Sequence, residues 1–386
     1  MTMTLQPFRA AVPDAAIDDL RSRLALTRFP DQAPGAPWAT GTDLAWMREL
    51  VEHWRMRFDW RAQEARLNAF EQFTVPIAGI DLHFIHARGE GPAPMPLLLS
   101  HGWPGSVFEF IDIIPRLTHP SRFGGDPADA FTVVAPSLPG YGFSFAPGQP
   151  RFSVEQIADA FATLMSEVLG HPRFATQGGD WGSSISARLG FAHPDKTIGV
   201  HLNMMPIRRD PTPSADATEA EHVYLGELKH WLSEETGYAT QQGTRPQTLA
   251  YGLTDSPAGL AAWIAEKMRA WSDCGGDVES VFTRDQILAN VSLYWFTGAI
   301  GSSFWPYYAR QHGPWPIPEG ATVDVPVGYC EFPTEIVRPP RSLAERTFTD
   351  IRRWSVMPRG GHFAAMEQPA ALAEEVRAFY RPLRGA

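Results

Sequence analysis

The chain has 386 residues, 44% of them hydrophobic, which is enough to bury a large core and more than one small module needs. Its formal net charge of −10 argues against a nucleic-acid partner, because phosphate binding requires a basic surface. The two cysteines, Cys274 and Cys330, make no disulfide framework, and no CxxC or Cys/His cluster suggests a metal.

The opening MTMTLQPFRAAVPDAAIDDL has neither a basic n-region nor an apolar run, and no stretch reaches the ~18 apolar residues of a membrane span. A soluble, cytoplasmic protein is expected. Its 13 Trp and 23 Phe suit a large aromatic core, and equally the wall of an apolar ligand pocket.

The first 70 residues read as helical. After Pro13-Asp14, a helix start, Ile17, Leu20 and Leu24 recur at helical spacing, and Leu44, Met47, Val51, Trp54 and Phe58 repeat it in a second helix. The period then changes to two. Phe73, Val75 and Ile77, then Ile80, Leu82 and Phe84 past Gly79, alternate as a hairpin does. Short apolar runs follow at Pro96–Ser100, Phe131–Ala135, Phe174–Gln177, Ile198–Asn203, Val323–Gly328 and Arg352–Val356. Separated by helical stretches, they have the rhythm of βαβ units and a parallel sheet.

Between Asn203 and Val323 that rhythm is interrupted by helical patterns, clearest at Ala258–Trp271 and Gln286–Phe304, and GPWPIPEG at 313–320 suits a return linker. The predicted fold class is α/β: a mostly parallel central sheet with an inserted helical cap and an N-terminal helical and hairpin extension. The division expected is 1–90 for the extension, 91–205 and 321–386 for the two parts of the core, and 206–320 for the cap.

Gly178-Gly179-Asp180-Trp181-Gly182 follows the run Phe174–Gln177 and precedes the helix-like Ser183–Phe191. Strand, glycine-flanked residue and helix is the layout of a nucleophile elbow, in which small neighbours permit a tight turn and the central side chain sits at a helix N-terminus. With Asp in the centre, attack on an ester or amide would give an anhydride. Attack on an sp³ carbon instead gives an alkyl-enzyme ester that water can hydrolyse. The bland alternative is a Gly/Asp turn with a capping carboxylate.

His101-Gly102-Trp103-Pro104-Gly105 follows the run Pro96–Ser100, where a loop N–H would serve an oxyanion hole, so Trp103 and Trp181 are the expected donors. Its bland alternative is a turn in which His101 satisfies backbone groups. Arg359-Gly360-Gly361-His362-Phe363 follows the last run, where the order nucleophile, acid, base places a general base. With an ordinary pKa of ~6.5, His362 is expected to be largely neutral at pH 7. For the orienting acid, Glu331 and Glu335 both follow Val325–Gly328, and spacing does not choose between them.

Together these segments resemble the epoxide hydrolases of the microsomal and juvenile-hormone type. The resemblance covers nearly the whole chain: Trp60 and the Phe73 hairpin, HGWPGS at 101–106, PSLPGYGFS at 136–144, GGDWG at 178–182, Asp255-Ser256-Pro257 with Gly259–Trp263, Tyr294-Trp295, FPTE at 332–335 and RGGHFAAME at 359–367.

It implies an α/β-hydrolase fold that converts an epoxide and water to a vicinal diol, with no cofactor and no metal. Asp180 would be the nucleophile, His362 the base, Glu335 rather than Glu331 its charge partner, and Tyr238 and Tyr307 the donors to the epoxide oxygen. The implied partner is a small apolar epoxide, bulky or aryl in keeping with the aromatic content, without nucleic acid or membrane; a homodimer is allowed. One departure is that animal membrane-bound members begin with an apolar anchor, which this sequence lacks. A haloalkane dehalogenase, in which Trp103 or Trp181 would hold the halide, and a catalytically silent receptor are the alternatives.

Leu293, Phe296, Ile300 and Phe304 form an apolar stripe at helical spacing that Tyr307 continues, whereas Tyr308 lies about 100° further round.

Overall fold

The computed structural model describes residues 4–210 and 212–385; Met1–Met3, part of the opening segment, lie outside the described residues. The alternation from Phe73 to Phe84 folds as the expected hairpin, β2 (Gln72–Ile77) and β3 (Ile80–Ala87), preceded in the chain by a short β1 (Gln6–Phe8). Ile77 pairs with Ile80, leaving Ala78 and Gly79 as a two-residue turn with φ of 50° and 86°. A positive φ at both positions is what a tight hairpin turn requires. β1 corrects the helical reading of the first residues: it pairs antiparallel with β2 at the sheet's edge.

The apolar runs that follow are β4 (Met95–Ser100), β5 (Phe131–Pro136), β6 (Phe174–Gly178), β7 (Thr197–Leu202), β8 (Val327–Glu331) and β9 (Ile351–Val356). Together the strands form one nine-stranded sheet in the order β1-β2-β3-β5-β4-β6-β7-β8-β9. β3 meets β5 antiparallel, and every pairing from β5 to β9 is parallel. Parallel strands are covered on both faces and so read as unbroken apolar runs; all six residues of β5 are buried.

The run expected at Val323–Gly328 is displaced. Val323 makes only an isolated bridge to Phe348, and β8 starts after Pro326, which has no N–H to give to a ladder.

Among the described residues, seven α-helices fill the stretch between β7 and β8: Glu219–Glu234, Gly237–Thr244, Pro246–Asp255, Pro257–Ala270, Arg284–Thr297, Ile300–Ser303 and Trp305–His312. The single helix expected over Gln286–Phe304 is broken, because Gly298 takes a left-handed C-cap (φ 66°) that ends the Arg284–Thr297 helix. The apolar stripe therefore does not run on to Tyr307 as one helical face. Tyr307 sits on a separate short helix, with Pro306 in its first turn, where a missing N–H is harmless.

The Arg284–Thr297 helix is pinned to the loop after β4. Asn290 donates to Pro104 O (2.7 Å) and the Tyr294 hydroxyl to Gly105 O (2.7 Å). The N-terminal helices support that helix from behind, with Trp54 Nε1 donating to Ser292 Oγ (3.0 Å) and the Trp60 ring 4.9 Å from that of Phe296. Among the described residues no helix is long and apolar enough to cross a membrane.

Candidate active site

The chain leaves β6 through Gly178-Gly179 and turns directly into the helix Asp180–Ala192, with Asp180 in the left-handed region at φ 48°. A non-glycine residue held there is strained, a cost of order 1–3 kcal/mol that surrounding structure must offset. The close packing explains the glycines. A Cβ at Gly182 would stand 1.8 Å from Ser100 O, and one at Gly102 would stand 2.2 Å from Asp180 Oδ1.

Gly102 thus lets the loop after β4 approach the carboxylate, and Trp103 N–H donates to Asp180 Oδ1 at 2.7 Å. Trp181 lies in the first turn of the following helix, where backbone N–H groups lack intrahelical acceptors. His101 takes the bland part. Its ring nitrogens meet Gly102 O (3.0 Å) and Leu138 N–H (3.2 Å), and burial pushes its pKa down to about 4, so it stays neutral.

His362 follows β9 in a loop held by its own N–H to Trp271 O (2.9 Å) and by a bridge between Gly361 and Thr334. That bridge brings the segment after β8 alongside. Glu335 Oε1 lies 2.6 Å from His362 Nδ1, and His362 Nε2 lies 3.5 Å from Asp180 Oδ2. Glu335 is buried, whereas Glu331 ends β8 half-exposed and touches no member of this group.

Burial alone would push the imidazole pKa down, but the charge of Glu335 and the contacts with Asp180 outweigh it and hold His362 well above its usual value. The sequence-based expectation of a largely neutral imidazole is therefore corrected. It reads the ring in isolation, whereas in the fold it stands between two carboxylates.

Tyr238 and Tyr307 come from different helices and meet over the same carboxylate. Their rings are 5.7 Å apart, Trp103 stacks on Tyr238 (5.2 Å, 10°) and Trp181 meets Tyr307 edge-on (4.8 Å, 85°). Burial, foremost, and the nearby charge of Asp180 raise both phenols, so both hydroxyls keep their protons. Tyr308 points elsewhere and stacks on Trp305 and His312.

Glu109, four residues beyond Gly105, was missed. A Cβ at Gly105 would sit on its carboxylate, and burial pushes its pKa up to about 8, with His362 pulling down and Asp180 pushing up. The only hint in the sequence is an acid inside the apolar stretch Val107–Phe110. Together with Gln177, Asn203, Asp180 and His362, it lines a cavity of about 20 Å³, room for one water. On the other side of Asp180, a cavity of about 290 Å³ opens outward past Tyr238, Tyr307 and Trp231.

The family "Epoxide hydrolase N terminus" matches residues 5–110, and "alpha/beta hydrolase fold" matches residues 95–248. A protein of Stigmatella aurantiaca is 43% identical over 98% of this chain and 86% of its own length. Epoxide hydrolase 1 of Oryctolagus cuniculus is 35% identical over 97% of this chain and 88% of its own. The crystal structure of juvenile hormone epoxide hydrolase from Bombyx mori superposes with a TM-score of 0.88 at 30% identity, covering 99% of this chain and 95% of that one. With an α/β-hydrolase sheet, an aspartate on its elbow and relatives matched along nearly their whole length, the chain belongs to the epoxide hydrolase family of the microsomal and juvenile-hormone type.

Proposed function

We propose that this protein hydrolyses an epoxide to a vicinal diol through a covalent ester on Asp180. The observation that carries the reading is the setting of that carboxylate. Oδ1 is held by the Trp103 N–H, Oδ2 faces His362, and two protonated tyrosines overhang the approach.

Asp180 Oδ2 attacks one epoxide carbon, the C–O bond breaks, and the ring oxygen takes a proton from the tyrosine pair. A donor there lowers the barrier, because the charge forms on an oxygen that remains in the product. Esterification removes the negative charge of Asp180, one of the influences raising His362, so the imidazolium gives up its proton, which restores the tyrosine hydroxyl spent on the ring oxygen, and the neutral imidazole can then act as a base.

A water in the small cavity loses a proton to His362 and attacks the ester carbonyl carbon. The resulting oxyanion on Oδ1 is held by the N–H groups of Trp103 and Trp181; on collapse the former Oδ2 leaves in the diol with the proton from His362, and the new Asp180 carboxyl returns its own proton to the imidazole. Neutral Glu109, which lines the same small cavity, would hydrogen-bond that water. The helices between β7 and β8 act as the cap, at about residues 206–320, and the 1–90 extension braces it.

A single turnover in ¹⁸O-water tests this: label is expected in the Asp180 carboxylate and absent from the first diol. Label in the first diol would mean direct attack by water. The second reading, haloalkane dehalogenation, has one observation in its favour: among the described residues the buried indole N–H of Trp103 has no hydrogen-bond partner, so it is free to hold a halide. The tyrosine pair weighs against it, since a departing halide needs solvation and no proton.

A further inference from the structure

The outer cavity differs in polarity from its floor to its rim. Near Asp180 the wall is aromatic and apolar, with Trp181, Tyr238 and Tyr307, and further out lie Ile207, Leu232 and Trp231. The half-buried side chains of Arg209 and Arg310 also line it, and among the described residues Asp180 is the one acid in its wall.

Both guanidiniums lie over aromatic rings, Arg209 at 4.6 Å from the Trp231 ring centre and Arg310 at 4.1 Å from that of Trp315. A guanidinium placed over an aromatic face can still offer N–H donors to an anion.

Among the described residues, neither cation has a carboxylate within ion-pairing distance. Neighbouring Arg208, by contrast, is paired with Glu319 at 2.6 Å. Arg209 lies over the Trp231 ring and within 3.8 Å of Met204 Sδ, and among the described residues the buried Nε of Arg310 has no hydrogen-bond partner. Burial, then the charges of Arg208 and Arg209, lower the pKa of Arg310; Glu155, which lines a separate hollow on its other side, offsets this at a distance. Two unpaired guanidiniums that repel one another in a partly dry wall are costly unless an anion joins them. They also stand out in a chain whose net charge is −10.

The geometry points to a substrate that carries a carboxylate on an apolar body, bound with its epoxide at Asp180 and its carboxylate between Arg209 and Arg310. This rests on the epoxide-hydrolase reading of the same site and narrows it, since the aromatic content alone suggests only a bulky apolar epoxide. A carboxylate matches the paired N–H edges of a guanidinium, and binding it at the rim leaves the apolar body along the aromatic wall.

The test uses ω-epoxyalkanoates of increasing chain length, their methyl esters, and styrene oxide as a neutral reference. At the best chain length, kcat/KM for the acid should exceed that for its ester by about tenfold or more, the worth of one good charge-assisted contact. The preference should lie in KM, shrink as ionic strength rises, and fall towards one in the Arg209→Gln, Arg310→Gln double variant.

The salt series on wild-type enzyme is a second readout should the double variant fold poorly. Equal turnover of acids and esters, or a preference indifferent to salt, would overturn the proposal while leaving epoxide hydrolysis intact. Absence of diol from acids, esters and styrene oxide alike would overturn both.

Discussion

His362 Nε2 stands 3.5 Å from Asp180 Oδ2, so the proposed base and the proposed nucleophile form an ion pair before substrate arrives. The imidazole is held well above its usual pKa with that carboxylate among the causes, so the proposed ester on Asp180 would lower it. In the proposed mechanism only the second step needs a neutral imidazole, and loss of the charge on Asp180 would provide it.

His362→Gln should therefore allow alkylation and block release. Mass spectrometry of the variant mixed with an epoxide should show the protein plus one substrate mass, persisting after wild-type enzyme has turned over. Unmodified protein at all times would count against a role confined to the second step. Asp180→Ala should fold and show neither adduct nor diol.

Glu335→Gln should slow ester hydrolysis on the order of 10²-fold, since the buried carboxylate both orients the imidazole and sustains its charge. Glu331→Gln, at a half-exposed position outside the group, should stay close to wild type. Single-turnover decay of the ester distinguishes them, and the reverse ranking would reassign the acid.

Tyr238→Phe and Tyr307→Phe should each slow alkylation roughly 10- to 100-fold, with the double variant nearly inactive. Each change keeps the ring in its aromatic stack and removes only the hydroxyl. Tyr308→Phe should be close to wild type, because its ring packs on Trp305 and His312 away from the site. Normal pre-steady-state alkylation in the double variant would remove both tyrosines from the mechanism and favour the dehalogenase reading.

Glu109 gives a pH dependence. Its carboxyl is neutral below about pH 8 and ionises above it, adding a second negative charge beside Asp180. Hydrolysis should decline above about pH 8 in wild type, and Glu109→Gln should remove that alkaline limb.

Stability should follow the same sign. The folded-state pKa is raised above 4.5, so the native chain holds a proton that the unfolded chain releases, and stability falls as pH rises from 4.5 to about 8. Urea melts at pH 5 and pH 9 should show Glu109→Gln gaining on wild type at the higher pH. No difference between the two pH values would mean the carboxyl is not buried as described.

What the sequence by itself determined is whatever depends on neighbours along the chain. A period of two marked the Phe73–Phe84 hairpin, unbroken apolar runs marked doubly covered strands, and the glycines around Asp180 and His362 marked turns too tight for side chains. Family resemblance added Tyr238, Tyr307 and the choice of Glu335, none of which periodicity would have selected.

Tertiary structure decided what depends on distant segments meeting. Gly298 ends a helix that periodicity alone would extend, because a left-handed cap leaves no mark on apolar spacing. Pro326 delays β8, since the missing N–H matters only where a partner strand lies alongside. Glu335 reaches His362 because the Thr334–Gly361 bridge draws two loops together. Glu109 is held near neutrality by burial among groups far from it in sequence, and Arg209 and Arg310, 101 positions apart, share one cavity wall. In each case the deciding quantity is proximity or desolvation, which a chain acquires only when segments remote in sequence are packed against one another.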